Sequence, residues 1–345
     1  MQKKISQKKE ILNDLGKCLV IGGAGLLGRA IISQLLDEGY FVRVLDLEKV
    51  EKEGVESIVG DIRNIEDVQR ACEGIDTVFQ TAAAIWDPKL PKQIYYDVNV
   101  YGNQNVIDTC VKLGIPRLVY TSTMDVVCSD DKKPLVYIDE TTPYPEKMPR
   151  DHYSSSKILG EKAVIKANKT NGLQTTSLRP VGMYGPGDKY HIANIVNMAK
   201  KGNKIKLGDG SAKFSHVYSE NAAYAHILAA KHLYPESHVA GESYFIADHQ
   251  PAENLFTFME PFLKELKLPI PTKSIPFRLA YLLAWFAEKF APKSNFNRFS
   301  VIQTCLDHTF ISDKAERDFG YKPIVSKEEA FKKTVEWFKK ESGLM

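Results

Sequence analysis

The chain has 345 residues, 46 of them basic and 43 acidic, for a formal charge of +3. That balance excludes nucleic acid or an anionic membrane as the expected main partner, and the length exceeds what one hydrophobic core usually fills. Five scattered cysteines (Cys18, Cys72, Cys110, Cys128, Cys305), an odd set without a Cys-x-x-Cys pair, argue against a disulfide framework and a zinc site. No metal is expected, and a reducing cytoplasm is the expected compartment.

Residues 1–16, opening "MQKKISQKKE", read as a flexible basic tail without the apolar segment of a secretory signal. From Lys17 the stretch "KCLVIGGAGLLGRAIISQLLDEGYFVRVLDLE" predicts a strand, a glycine cluster, a helix ending at Gly39 and a second strand over 41–45. "GVESIVGDI" follows as a third strand, Asn64 caps the helix "NIEDVQRACEG", and "IDTVFQTAAA" is a fourth strand running into a small-residue turn. Then come the helix "VNVYGNQNVIDTCVKLG", the strand "IPRLVYTST", the helix "DHYSSSKILGEKA" and the strand "LQTTSLRP". Apolar strands alternating with helices predict an α/β fold with a doubly wound parallel sheet over 17–188. Beyond residue 188 helices dominate, near 190–201, 219–233, 254–266, 277–290 and 326–341, with short strands near Ile205 and Tyr244. Residues 189–345 are therefore expected to form a smaller, mostly helical substrate lobe, with the chain free to cross between the two.

Gly22, Gly25 and Gly28 make a G-x-x-G-x-x-G series at the first strand-to-helix turn. Such glycines let backbone amides and a helix N-terminus approach a pyrophosphate. Asp46, 18 residues after Gly28, stands near the spacing at which an acid meets the adenosine ribose. NAD is therefore expected over NADP, since a carboxylate there repels a 2'-phosphate. Asp61, after the third strand, is placed to meet the adenine, with an Asx-turn as an equally ordinary role.

Tyr153 and Lys157 stand four apart on one predicted helix face. With 16 Tyr and 36 Lys in the chain, composition alone accounts for one or two such pairs, so the spacing says little by itself. Beside a dinucleotide it gains a meaning. Removing a hydride from an alcohol requires removing its proton too, and Tyr153 as phenolate can take it, with Lys157 and the positive nicotinamide expected to lower the phenol pKa. Thr123, at the end of the fifth strand, would hydrogen-bond the substrate oxygen.

These residues together resemble the extended short-chain dehydrogenase/reductases over roughly 17–340. "GGAGLLG", "TAAA" at 81–84, "VNVYGNQNV", "YTST", "YSSSK" and "LRPVGMYGPGD" carry the likeness, and "FSHVYSENAAYAHILAA" at 214–230 is most similar to the 3β-hydroxysteroid and sterol 4α-carboxylate 3-dehydrogenase branch. The resemblance implies a cofactor site of Gly22, Gly25, Leu26, Leu27, Gly28, Asp46, Asp61, Ile62, Thr81, Ala82, Ala83, Asn99, Thr121, Tyr153, Lys157, Pro180, Gly182 and Met183. It implies catalysis by Tyr153, Lys157 and Thr123, and a substrate wall including Trp86, Met124, Asp125 and Tyr184. Thr123 stands where serine is commoner, which keeps the hydroxyl. "TAAA" lacks the histidine or asparagine often found there.

The expected activity is NAD-dependent interconversion of a secondary alcohol and a ketone on a bulky apolar substrate of 3β-hydroxysteroid or sterol type. A nucleotide-sugar epimerase or dehydratase is the alternative on the same scaffold, and a non-catalytic NAD-binding sensor the alternative from another class. "PFRLAYLLAWFAEKFAP" at 276–292 bears on the choice, because it is mostly hydrocarbon where a diphosphate would need cations. As a helix of about 14 residues it spans only about 21 Å, short of a bilayer's ~30 Å core, so it does not cross a membrane. It is expected either as a buried helix over a substrate cavity, as a face in peripheral contact with a membrane, or as the interface of a homodimer.

Overall fold

The computed structural model describes residues 14–341 except 203, 249, 250, 292, 293 and 295. Most of the expected tail therefore lies outside the described residues. Its last part is no tail: Leu15 is fully buried, and its carbonyl accepts from the Thr77 hydroxyl at 2.7 Å.

Seven strands form the central sheet: β1 (Cys18–Ile21), β2 (Val42–Asp46), β3 (Val55–Val59), β4 (Thr77–Gln80), β5 (Arg117–Thr121), β6 (Gln174–Pro180) and β7 (Ser243–Ile246). Their order across the sheet is β7-β6-β5-β4-β1-β2-β3, and every neighbouring pair is parallel. Chain direction across the sheet reverses between β1 and β4, which opens a crevice at the C-terminal ends of those strands.

The strands are apolar on both faces because both faces are covered. Along β1, Cys18 and Val20 join a core with α1 (Leu26–Asp37), while Leu19 and Ile21 join one with α2 (Ile65–Cys72) and α3 (Asn103–Leu113). Asn64 caps α2 as expected, accepting from the Glu66 N–H. Ahead of α3 the chain is already helical over Lys92–Tyr96 and then π-helical over Asp97–Gly102. The catalytic-helix candidate is α4 (His152–Lys166), capped by Asp151, which accepts from the Tyr153 and Ser154 N–H groups.

After β6 come α5 (Ile192–Lys200), α6 (Ser219–Lys231), α7 (Leu255–Glu265), α8 (Phe277–Phe290), α9 (Arg298–Cys305), α10 (Asp313–Phe319) and α11 (Lys327–Glu341). The division near residue 188 is crossed. The strand expected near Tyr244 is β7 of the central sheet rather than a lobe strand, and α6 packs its Ala222, Ala223 and Ile227 into the core beneath α1. α5, α7 and α11 share a separate lobe core built on Phe258, Met259, Phe262 and Phe338.

Helix α8 is buried on one side only. Ala280 and Ala284 pack with Val301 of α9, whereas Leu279, Leu282, Leu283 and Phe286 are 42–51% exposed. Of the three expectations, a fully buried helix over a cavity is corrected: Ala280, Ala284, Phe277 and Tyr281 face protein, while the opposite face is open. Among the described residues no helix is long and apolar enough to cross a membrane.

Candidate active site

The glycine turn is a cradle that side chains would fill. Gly22 has φ +87°, and a Cβ there would lie 2.6 Å from the Ala82 nitrogen; at Gly28 it would lie 2.2 Å from the Gly22 carbonyl oxygen. Gly25 starts α1 without a side-chain cap, and no acid stands in the first turn. The helix thus keeps orphan N–H groups and the positive end of its dipole for an anion such as a pyrophosphate. Leu27 is buried in the core, so at that position only the backbone is available to a ligand, while Leu26 is half-buried.

Asp46 ends β2 beside this turn, where its carboxylate accepts from Ala24 N–H at 2.9 Å and Glu48 N–H at 3.1 Å. Arg43 lies on the other strand face and pairs with Glu56 at 3.0 Å. Asp61 forms the Asx-turn, accepting from Arg63 N–H at 2.9 Å, and its carboxylate is also held by the Arg63 guanidinium, which lowers its pKa. The neighbouring Ile62 side chain is buried.

Across the crevice, Thr81 donates to the Ile21 carbonyl at 2.8 Å, and the Gln80 carboxamide exchanges hydrogen bonds with the Ala82 backbone. Ala83 follows in the same loop. Asn99, in the π-helical segment, is fully engaged: it accepts from Ala84 N–H at 2.8 Å and donates to Ala84 O and to the Ser156 hydroxyl. It ties the cofactor loop to α4. Gly160 lets α4 close on that segment, since a Cβ there would lie 2.6 Å from the Asn99 carbonyl oxygen.

Thr123, Tyr153 and Lys157 meet at the C-terminal edge of β5. The Tyr153 phenol lies beside the Thr123 side chain. Lys157 is buried, donates from Nζ to the Thr121 carbonyl at 2.6 Å and lies 4.5 Å over the Tyr120 ring. The Thr121 hydroxyl meets His226 Nε2 at 2.9 Å, and His226 donates from Nδ1 to Ala222 O. Beneath Lys157, buried Glu161 pairs with Arg179 at 2.6 Å and accepts from Tyr144 and Ser177.

The electrostatics differ from expectation. Burial raises the Tyr153 pKa, and the Asp125 charge raises it further. Burial also pushes the Lys157 amine down to about 7, against the opposing pull of Glu161. Lys157 donates to Thr121 O and is itself desolvated, and the lowering contact on the phenol comes instead from Thr123, against the larger effect of burial.

Pro180 ends β6, and Gly182 and Met183 lie in the short strand Gly182–Tyr184, which pairs with His216–Tyr218. Tyr184 is corrected as a substrate residue. It is 2% exposed and packs edge-on against Phe258, with Tyr218 and Phe262 around it, so it is lobe core. Met124 packs against the central core. Trp86 does line a cavity of about 340 Å³ with Tyr95, Arg150, His152, Tyr281 and Arg298, adjoining the first turn of α4. Arg298 and Gln303 arrive on α9, an element the hydrophobic pattern leaves out. A legible start signal was there, the capping box of Asn297 with Ser300. Among the described residues no group of three metal-ligating side chains occurs.

A dinucleotide crevice opening onto a phenol and a buried amine belongs to the short-chain dehydrogenase/reductases, and the chain is an NAD-dependent oxidoreductase of the extended type. It belongs to the 3-beta hydroxysteroid dehydrogenase/isomerase family, whose sequence model matches residues 19–279. A sterol-4-alpha-carboxylate 3-dehydrogenase (decarboxylating) of Mus musculus is 34% identical, covering 95% of this chain and 93% of its own. A 3-beta-hydroxysteroid dehydrogenase of Mycolicibacterium neoaurum is 32% identical, covering 94% and 92%. Among solved structures, the epimerase Mth375 of Methanothermobacter thermautotrophicus is similar with TM-score 0.76 at 25% identity, covering 95% and 94%. The dTDP-glucose 4,6-dehydratase DesIV of Streptomyces venezuelae, with NAD bound, has TM-score 0.75 at 23% identity, covering 95% and 98%, and shows the fold alone.

Proposed function

We propose that the protein interconverts a 3β-hydroxyl and a ketone on a sterol or steroid. NAD, when bound, supplies the hydride acceptor, and the residues of the crevice fit it: the Gly22–Gly28 turn and the α1 N-terminus for the pyrophosphate, Asp46 for the adenosine ribose. The chain's own part is the proton. As the carbinol C–H bond breaks toward the cofactor, the O–H proton passes to Tyr153 in its phenolate form, which the positive charge of bound NAD and of protonated Lys157 would favour, and the C=O bond forms. Thr123 holds the substrate oxygen, and Lys157 fixes α4 to β5 through Thr121 while supplying positive charge when protonated.

The observation carrying this reading is the meeting of Thr123 and Tyr153 beside the glycine cradle, in a chain whose relatives are named as 3β-hydroxysteroid and sterol dehydrogenases. The two arginines of the cavity are already paired, Arg298 with Glu288 at 2.7 Å and Arg150 with Asp130 at 3.5 Å, which leaves Lys92 as its remaining lysine or arginine for a sugar diphosphate. The test is NADH formation by the purified protein against 3β-hydroxysterols, 3-hydroxy acids and nucleotide sugars. Turnover confined to nucleotide sugars would overturn it.

The same reading assigns the exposed apolar face of α8 to a lipid surface. The same helix lines the cavity with Tyr281 and Glu288, so the lipid contact and the cavity would share one element.

A further inference from the structure

We infer that Asp125 sets the direction of the Thr123 hydroxyl and is a positioning residue for proton transfer at the substrate oxygen. The inference rests on the proposed dehydrogenase reading and concerns a residue for which neither the resemblance nor that reading supplies such a role.

The argument is one of hydrogen-bond capacity. A threonine hydroxyl has one proton to donate and two lone pairs. Here the proton goes to Asp125 Oδ2 at 2.9 Å, and one lone pair accepts from the Asp125 N–H at 3.3 Å. With its only proton committed to Asp125, Thr123 has no donor left for a substrate oxygen. Protonating Asp125 reverses one bond: the acid donates to Thr123 Oγ, and the threonine proton is released to point at the alkoxide or carbonyl oxygen.

The surroundings of Asp125 hold it near that change. Its other oxygen accepts from Gln303 Nε2 of α9 at 2.9 Å, a contact across 178 residues of sequence, and lies 3.8 Å from the Cys128 thiol. The Asp151 carboxylate at the start of α4 acts on it, and its own charge acts on the Tyr153 phenol. Burial first, then the Asp151 charge, push its carboxyl up to about 6, while the bonds from Thr123, Gln303 and Cys128 pull it down. The protonated form is thereby accessible close to neutral pH.

Asp125→Asn is the direct test, because an amide with Nδ2 toward Thr123 and Oδ1 toward Gln303 reproduces the protonated acid. With NAD and a 3β-hydroxysteroid as probes, the ratio of variant to wild-type kcat is expected to climb as pH rises through about 6, by up to about 10²-fold, the scale of one oxyanion donor. In a Thr123→Ala background the same comparison is expected to be flat. A second readout needs no turnover: the protonated-carboxyl infrared component titrating near pH 6 should vanish in Asp125→Asn, leaving that of Asp248, which burial pushes up to about 7, and in Gln303→Met its loss should move to higher pH, since the bond from Gln303 lowers the Asp125 pKa. A ratio independent of pH, a climb that persists without Thr123, or a band indifferent to Gln303 overturns the inference. Failure of the dehydrogenase reading is distinguishable, because it would appear as absent turnover with the carboxyl band still titrating.

Discussion

On the nucleotide side of the cleft the groups that matter are backbone: the Gly22 turn, the Gly25 start of α1, the Gly28 approach, with Asp46 bound to the Ala24 amide. On the substrate side they are side chains gathered from distant segments, Trp86 and Arg150 from loops, Tyr281 and Arg298 from the lobe. The first kind of site is rigid and local because a backbone cradle tolerates no added atoms. The second can change its lining without disturbing the sheet, which explains how one scaffold serves proteins named for sugars and for sterols.

The comparison is broken most strongly between the two sides, at the phenol. Tyr153→Phe removes only the acid-base group, so turnover should fall by at least ~10² while NAD affinity stays within a few fold. Tyr153 is half-buried and its hydroxyl leaves Thr123 rather than a packed core. Steady-state kinetics with an NAD fluorescence titration separate the two effects, and near-normal turnover would remove Tyr153 from the mechanism.

On the nucleotide side, Gly28→Ala should be costly for so small a change. The new methyl meets a carbonyl oxygen at 2.2 Å, so strand and helix must part; a loss of about 1–3 kcal/mol and at least ~10-fold weaker NAD binding are expected. Calorimetric melting and NAD titration check it. A variant with wild-type melting and affinity would show that the cradle yields.

Asp46→Ser sharpens the same side with a smaller effect. Removing the carboxylate should narrow the preference for NAD over NADP by about tenfold through relief of repulsion toward a 2'-phosphate. Equal use of both cofactors by the wild type would mean that Asp46 does not meet the ribose.

The difference between the two sides also explains what the sequence discloses. Glycines, caps and apolar strands are local, so each strand of the sheet through β6, the Asn64 cap and the glycine cradle is readable from its own short stretch of sequence. Strand β7 was read as part of the lobe because nothing local to Tyr244 tells which sheet it joins; pairing with β6 across more than sixty residues decides that. Tyr184 looked like a substrate residue beside the cofactor segment, yet strand pairing with Tyr218 turns it into aromatic core. The link from Asp125 to Gln303 has no sequence signal at all, and neither has Gly160, whose need arises only where α4 crosses the π-helical turn.

The smallest expected effect on fold and chemistry comes from the outer face of α8, where the substrate side meets its surroundings. Leu282 and Phe286 are 51% and 45% exposed, and the protein's own packing on this helix is through Ala280 and Ala284, with Phe277 and Tyr281, on the other face. Changing both outer residues to Asp buries no charge, so each should alter stability by no more than about 0.5 kcal/mol, and turnover of a water-soluble hydroxysteroid should hardly change. Lipid contact would respond differently, since two carboxylates cannot enter an apolar layer without a large desolvation cost. Co-sedimentation with neutral phosphatidylcholine vesicles should therefore be lost in the double variant while melting stays put. Wild-type protein that fails to sediment would refute the lipid assignment, and a concentration-dependent mass that drops in the double variant would hand the face to a second copy of the chain instead.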